Sequence, residues 1–176
     1  MIQANAIDEL SRDELLQLVK AYARNWHAHD NCWFLSIQEQ YGISLALDMD
    51  RESWRKFSVI EARRLMEVLG LKPNSGVEGL RRALAFRLYS TINQDLIEVV
   101  DNTTLRYYIK TCRIQAARRA NGMEDLPCSS IGIVEYSYFA RTIDDRFVTR
   151  MVSCPPDITN HYFHCIWEFI LEDNTD

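Results

Sequence analysis

The sequence predicts an α+β fold in which an N-terminal helical half packs on a small antiparallel sheet of about four strands. Through the first 93 residues, apolar side chains recur at three- and four-residue steps, which is the period of one helix face. After residue 96, runs rich in β-branched and aromatic residues alternate with turn-forming residues, a pattern typical of strands. Two further helices are expected between the strand pairs.

Three helices are predicted in the first half. Ser11 and Glu14 have the spacing of a capping box, which marks the start of the first helix. Gly42 interrupts the apolar period, and a second helix is expected from about Ser44 through Leu69, where Gly70 and Pro73 supply the stop signals. A third helix is predicted to end near residue 93.

The second half is predicted to contain two strand pairs separated by helical segments. "LIEVV" and "LRYYIKTC" form the first pair, and "RFVTRMVSC" and "YFHCIWEFILE" form the second pair around a Pro-Pro loop. "RIQAARRANG" is predicted to be helical. "SSIGIVEYSYFARTI" is also predicted to be a helix, although its β-branched content leaves a strand open. With no linker in between, residues 1–176 are expected to form one domain, helical over about 11–93 and sheet-containing over about 96–172.

Composition narrows the classes of partner. The net charge of -5 argues against a nucleic-acid binder, and no apolar run approaches the roughly 20 residues of a membrane span. The N-terminus lacks the pattern of a secretory signal, so a cytoplasmic, reducing location is predicted. A small molecule is the expected ligand, and a homodimer stays an option. The five cysteines are then expected to be free thiols or ligands.

Asp30 stands out in the first helix, because Trp26 and Trp33 fall on the same helix face. A carboxylate on an apolar stripe must find a donor or take up a proton. One interpretation is a pKa-tuned catalytic acid or base. The other is a buried structural carboxylate that is bonded to a cation or a backbone donor.

The cysteines and histidines near the C-terminus raise the question of a metal site. Alternation along the last strand places Cys165 with two aromatic residues on one face, and Cys154 is expected on the neighbouring antiparallel strand, both thiols reduced. Cys154, His161 and Cys165 are the candidate metal ligands. The sequence has no C-x-x-C pair of the kind common in zinc sites, so no metal is predicted and buried hydrophobic cysteines are the favoured interpretation, with this ligand set as the alternative.

Arginines are frequent around three of the cysteines, and this suggests a nucleophilic site. Guanidinium groups near Cys128 or Cys154 would lower the thiol pKa and favour the thiolate, and Arg118 or Arg146 could bind a carboxylate. Asp144 is a candidate for proton transfer. A surface network of ion pairs would produce the same pattern.

Several short motifs carry a resemblance to a known family. These are Gln115 and Arg118 in "CRIQAAR", Cys128 after proline, "GIVEY" with Tyr136, Arg146, "CPPD", and Cys165 near a tryptophan. With them the chain resembles an uncharacterised family of bacterial and archaeal cytosolic proteins, which is distantly similar to the L-2-amino-thiazoline-4-carboxylic acid hydrolases. The resemblance implies a pocket that Gln115 and Tyr136 help to line.

The leading hypothesis is a small-molecule hydrolase that acts on a C–N bond of a carboxylate-bearing cyclic or amide substrate. Cys128, Cys154, Asp144 and Asp30 are the catalytic candidates, and Arg118, Arg146, Gln115 and Tyr136 are the candidates for substrate binding. No cofactor is required by this hypothesis. The alternatives are a non-catalytic module that binds a ligand, a metal ion or haem, and a structural or interaction protein.

Overall fold

Five α-helices and four β-strands make up residues 6–173, the part of the chain that this computed structural model describes. Two short 3₁₀ helices, Ile7–Glu9 and Leu88–Thr91, accompany them. The elements in chain order are α1 (Arg12–Tyr41), α2 (Ile43–Leu69), α3 (Gly76–Ala85), β1 (Gln94–Val99), β2 (Thr104–Thr111), α4 (Arg113–Ala120), α5 (Ser129–Ile143), β3 (Phe147–Ser153) and β4 (Cys165–Leu171).

The two long N-terminal helices begin and end as the sequence predicts. The Ser11 hydroxyl accepts the Glu14 backbone N–H at 3.3 Å, and the Ser11 N–H donates to the Glu14 carboxylate at 2.8 Å, which completes the capping box. Gly42 separates α1 from α2 with a φ of 87°, a backbone conformation that favours glycine. Trp26 of α1 then stacks on Phe57 of α2, with ring centroids 5.1 Å apart.

The four strands form one antiparallel sheet in the order β1-β2-β4-β3, so the predicted α+β class is confirmed. Alternation buries one face of the two central strands. On β4 this face carries Cys165, Trp167 and Phe169, as predicted. On β2 it carries Tyr107, which is paired opposite Trp167.

Helix α5 covers the buried face of the sheet and packs against α2 on its other side. The segment 129–143 is therefore a helix, and the strand alternative is wrong. Gly132 marks the closest approach of α5 to the sheet, because a Cβ at this position would lie 2.5 Å from the Trp167 ring. This close contact places the N-terminal turn of α5 directly over β4.

The third helix ends earlier than predicted, at Ala85 instead of near residue 93. The backbone N–H of Leu88 donates to the Glu61 carboxylate of α2 at 3.1 Å. This tertiary hydrogen bond replaces a helical one, and the chain turns through a short 3₁₀ helix. None of the helices within residues 6–173 has both the length and the apolar character that a membrane crossing requires.

Candidate functional site

Three cysteines from separate parts of the chain converge at one end of the sheet. Cys128 is the residue before α5, Cys154 follows the last residue of β3, and Cys165 is the first residue of β4. The sulfur atoms of Cys128 and Cys154 are 3.8 Å apart, and those of Cys154 and Cys165 are 3.1 Å apart. All three sulfur atoms lie within 4.8 Å of one another.

Backbone hydrogen bonds around the Pro-Pro loop hold this arrangement. The antiparallel pairing of β3 with β4 brings Cys154 beside Cys165, which confirms that the two residues belong to neighbouring strands, with Cys154 one residue beyond its strand. The Ser129 N–H at the start of α5 donates to the Pro155 carbonyl at 3.0 Å. This bond ties the beginning of the helix, and so Cys128, to the loop.

The three thiols do not have equal acidity. Hydrogen bonds from the Cys154 and Cys165 thiols favour a thiolate on Cys128 and lower its pKa, while the pKa values of the two donors are raised because they keep their protons. The positive end of the α5 dipole acts in the same direction on Cys128. Cys128 is therefore the first thiol of the cluster to lose its proton.

Gln115 holds the loop that carries Cys128. Its buried side-chain amide accepts the Leu126 N–H and donates to the Leu126 carbonyl, both at 2.9 Å. The same Nε2 lies 3.5 Å from the Cys128 sulfur. Gln115 was expected to bind substrate, but its contacts are those of a residue that positions the Cys128 thiol.

A cavity of about 70 Å³ adjoins the cysteine cluster. It lies between α2, α5 and the sheet, and its wall is mostly apolar. The side chains that matter for its chemistry are Asp50, Trp54, Tyr89, Cys112, Cys128, Glu135, Tyr136, Cys154, Cys165 and Trp167. The predicted pocket beside Cys128 and Cys154, with Tyr136 in its wall, is therefore present.

Two acidic residues of the cavity were not predicted. Burial, together with the nearby carboxylate of Asp30, raises the pKa of Asp50 to about 8. Burial likewise raises the pKa of Glu135 to about 7, although Arg87 opposes the shift. Both carboxyl groups can therefore exchange protons near neutral pH.

Arg87 is fully buried next to this cavity, and it is the only buried arginine in the part of the chain that the structure describes. Its guanidinium donates to the Glu61 carboxylate at 2.8 and 2.9 Å and pairs with Glu135 at 2.8 Å. It also lies 4.5 Å from the centre of the Phe139 ring. Both charged partners of Arg87 are residues of the protein, so its guanidinium has a structural role and is not free to bind a ligand.

The predicted acid Asp30 and the predicted arginine Arg118 lie outside the cavity, in a groove whose wall also contains Asp50. Trp33 is 64 % exposed, so the helix face that was predicted to be buried is only partly covered. No hydrogen bond or ion pair joins the Asp30 carboxylate to another residue within 6–173, and the predicted donor is therefore wrong. Partial burial raises the pKa of Asp30 to about 6. Arg118 donates to the Glu124 carbonyl at 2.8 Å.

Asp144 and Arg146 lie at the opposite end of α5 from Cys128. A helix of 15 residues separates its ends by about 22 Å. Asp144 accepts the Gly76 N–H at 3.0 Å and pairs with Arg146 at 2.8 and 2.9 Å. Their expected place beside the cysteines is wrong, because these contacts fix the start of α3 to the end of α5.

His161 does not accompany the cysteines. It is exposed and lines a surface groove together with His164 and Arg119. Cys128 instead completes the trio with Cys154 and Cys165. The predicted ligand set thus keeps its two cysteines and exchanges the histidine for a third sulfur.

Comparison with known proteins identifies a family whose function is unknown. A family model described as a family of unknown function (DUF6125) matches residues 8–171. The searches of curated proteins and of solved structures found no match. None of these comparisons connects the chain with the L-2-amino-thiazoline-4-carboxylic acid hydrolases.

Proposed function

The chain belongs to the DUF6125 family, whose function is unknown, and we propose from its own side chains that it binds a thiophilic metal ion such as Zn²⁺ through Cys128, Cys154 and Cys165. The observation that carries the proposal is the spacing of the three sulfur atoms. Zinc–sulfur bonds of about 2.3 Å in a tetrahedral site separate the sulfur atoms by about 3.8 Å. Two of the sulfur–sulfur distances are 3.8 and 3.1 Å and the third is at most 4.8 Å, so side-chain rotations can bring all three to the tetrahedral spacing.

The electrostatics of the cluster favour a cation. A metal ion requires deprotonated thiols, and Cys128 already has a lowered pKa because its two neighbours donate to it. The cation would lower the pKa values of Cys154 and Cys165 in turn and release their protons. A reducing, cytoplasmic location, which remains part of the proposal, would keep the thiols available.

Haem does not suit this site. The cavity of about 70 Å³ is far too small for a porphyrin. His161 and His164, the histidines nearest to the cysteines in sequence, both line a surface groove. A single metal ion, by contrast, fits between the three sulfur atoms without a change in the fold.

Titration of the reduced, metal-free protein with Co²⁺ should test the metal proposal. We expect one equivalent to bind with a thiolate-to-cobalt charge-transfer band, and Zn²⁺ to displace it. Loss of a residue that only hydrogen-bonds to a metal ligand lowers metal affinity by about 10- to 100-fold. Cys154→Ser removes a direct ligand, so it should weaken Co²⁺ binding by at least about that factor. Cys32→Ser is the matched control, since Cys32 is exposed on α1. An absent charge-transfer band, or equal Co²⁺ affinity in Cys154→Ser, would contradict the proposal.

A second candidate function is hydrolysis with Cys128 as the nucleophile, and the carboxyl groups in the same cavity favour it. The thiolate would attack the carbon of a C–N bond and form a thioester from an amide, or a thioimidate from an amidine. Glu135 or Asp50 would give a proton to the leaving nitrogen. Water would then release the acid and restore the thiol. Arg118 and Arg146 do not line the cavity, so an uncharged substrate suits this site better than the carboxylate-bearing one.

Labelling of metal-free protein with iodoacetamide tests the nucleophile. Because the pKa of Cys128 is lowered, its labelling rate should change little between pH 8 and pH 6. A thiol with a pKa of about 8.5 should slow by about 75-fold over the same interval. Cys165, buried on the aromatic strand face, should stay unlabelled. Cys128 labelling that slows with pH like an ordinary thiol would remove this candidate and leave the metal site.

A further inference from the structure

Two hydrogen-bond donors in the cavity wall have no partner. The hydroxyl of Tyr89 and the indole Nε1 of Trp167 are buried and make no hydrogen bond within residues 6–173. The residues themselves are 6 % and 1 % exposed. Buried donors are almost always satisfied in folded proteins, so two of them around one cavity indicate a bound molecule that supplies acceptors.

The cavity also faces the proposed metal ion. Cys128, Cys154 and Cys165 all belong to its wall, and no other histidine, cysteine or acidic residue of the described chain joins their cluster. Three protein ligands with an open fourth position are the pattern of reactive zinc sites, whereas structural sites are closed by four. Because all three cysteines belong to the cavity wall, a fourth ligand would reach the metal ion from the cavity.

The size and charge of the cavity limit that ligand. An engineered cavity of about 150 Å³ binds benzene, so about 70 Å³ suits a molecule of roughly three or four non-hydrogen atoms. A divalent ion with three thiolates already has a net negative charge, and a second anion in an apolar cavity would be strongly disfavoured. Arg87 cannot compensate, because Glu61 and Glu135 pair with it.

We propose that the fourth coordination position is occupied by a small, uncharged molecule with acceptor atoms, of which a simple amide is the model, held by Tyr89 and Trp167. This inference rests on the proposed metal site. The Tyr89 hydroxyl stays protonated, since burial raises the pKa of this residue, and so remains a donor. Asp50 and Glu135, whose protonated forms are also donors, lie within the same wall.

Visible absorption of the Co²⁺-loaded protein measures occupancy of the fourth position. Acetamide and acetate have the same size and differ in charge. We expect acetamide to change the ligand-field bands in a saturable way, acetate to bind at least tenfold more weakly at pH 8, and benzamide to be excluded. Tyr89→Phe should weaken acetamide binding by roughly tenfold through the loss of one hydrogen bond, with Co²⁺ affinity unchanged.

Tyr138→Phe is the control for Tyr89→Phe, because Tyr138 lies on the exposed side of α5. If Tyr89→Phe does not fold, Trp167→Phe is the second test of the donors. Acetamide binding that is unaffected by both cavity variants would overturn the assigned donors. If Co²⁺ binds but no probe alters the bands, or acetate binds as well as acetamide, the inference is wrong and the metal site stands. If Co²⁺ does not bind to the three cysteines, both proposals fall together.

Discussion

Replacing Arg87 with leucine is expected to lower the free energy of unfolding by about 3–5 kcal/mol, because removing one partner from a buried ion pair leaves an uncompensated charge. Arg87 is 1 % exposed, and it is held between Glu61 of α2 and Glu135 of α5 at 2.8 Å from each. Without the guanidinium, two carboxylates would face each other in an apolar region.

Urea unfolding followed by tryptophan fluorescence measures the effect. Arg81→Leu is the matched control, since Arg81 pairs with Glu78 in the same way but at the surface, where ion pairs contribute little. The urea midpoint of Arg81→Leu should stay close to that of the parent protein. Equal shifts for the two variants would show that burial does not set the strength of the Arg87 cluster.

The pH dependence of the Arg87→Leu variant provides a further check on this prediction. The pKa of Glu135 is already raised to about 7 by burial in the intact protein, and losing Arg87 would raise it more. A carboxyl group with a raised folded-state pKa binds more protons when folded, so stability falls as the pH rises from about 4.3 through the folded-state pKa. The variant should therefore lose less stability at pH 5 than at pH 8.

Local patterns predicted the strand faces and the helix starts, because both depend on near neighbours in the chain. Cys165 and Trp167 alternate along one strand, and that alternation fixes their common face wherever the strand packs. The meeting of Cys128 with Cys154 depends instead on tertiary contacts such as the bond from Ser129 to Pro155. The spacing of the cysteines in the sequence does not predict that hydrogen bond.

Closeness in sequence was misleading for Asp144 and Arg146. They follow Cys128 by fewer than 20 positions, but an unbroken helix intervenes and places them at the far end of α5. The buried acids could have been found, however. Glu135 lies on the α5 face formed by Ile131 and Phe139, and the argument applied to Asp30 identifies a carboxylate on an apolar helix face at this position too.

Gly132 is the position where the smallest substitution should have a large effect. A Cβ built at this residue would lie 2.5 Å and 2.9 Å from two carbons of the Trp167 ring, well inside normal van der Waals contact. Trp167 cannot move aside easily, because it is 1 % exposed and packs on the Tyr136 ring with centroids 5.0 Å apart. Overpacking of this kind costs about 1–3 kcal/mol, or more where the neighbours are rigid.

Gly132→Ala is therefore expected to lower the free energy of unfolding by about 1–2 kcal/mol, since an overpacking cost near the upper end of its range is partly offset by the intrinsic helix preference of alanine over glycine, about 1 kcal/mol. The same variant should weaken Co²⁺ binding, since α5 carries Cys128 at its start and β4 carries Cys165 beside the displaced ring. Trp167→Phe removes the two carbons that the new methyl group would meet. In that background Gly132→Ala should be neutral or stabilising, because only the helix preference remains. A Gly132→Ala protein as stable as the parent would mean that α5 can move away from β4 at no cost, and an equal loss in both backgrounds would mean that the Trp167 ring is not the cause of the loss.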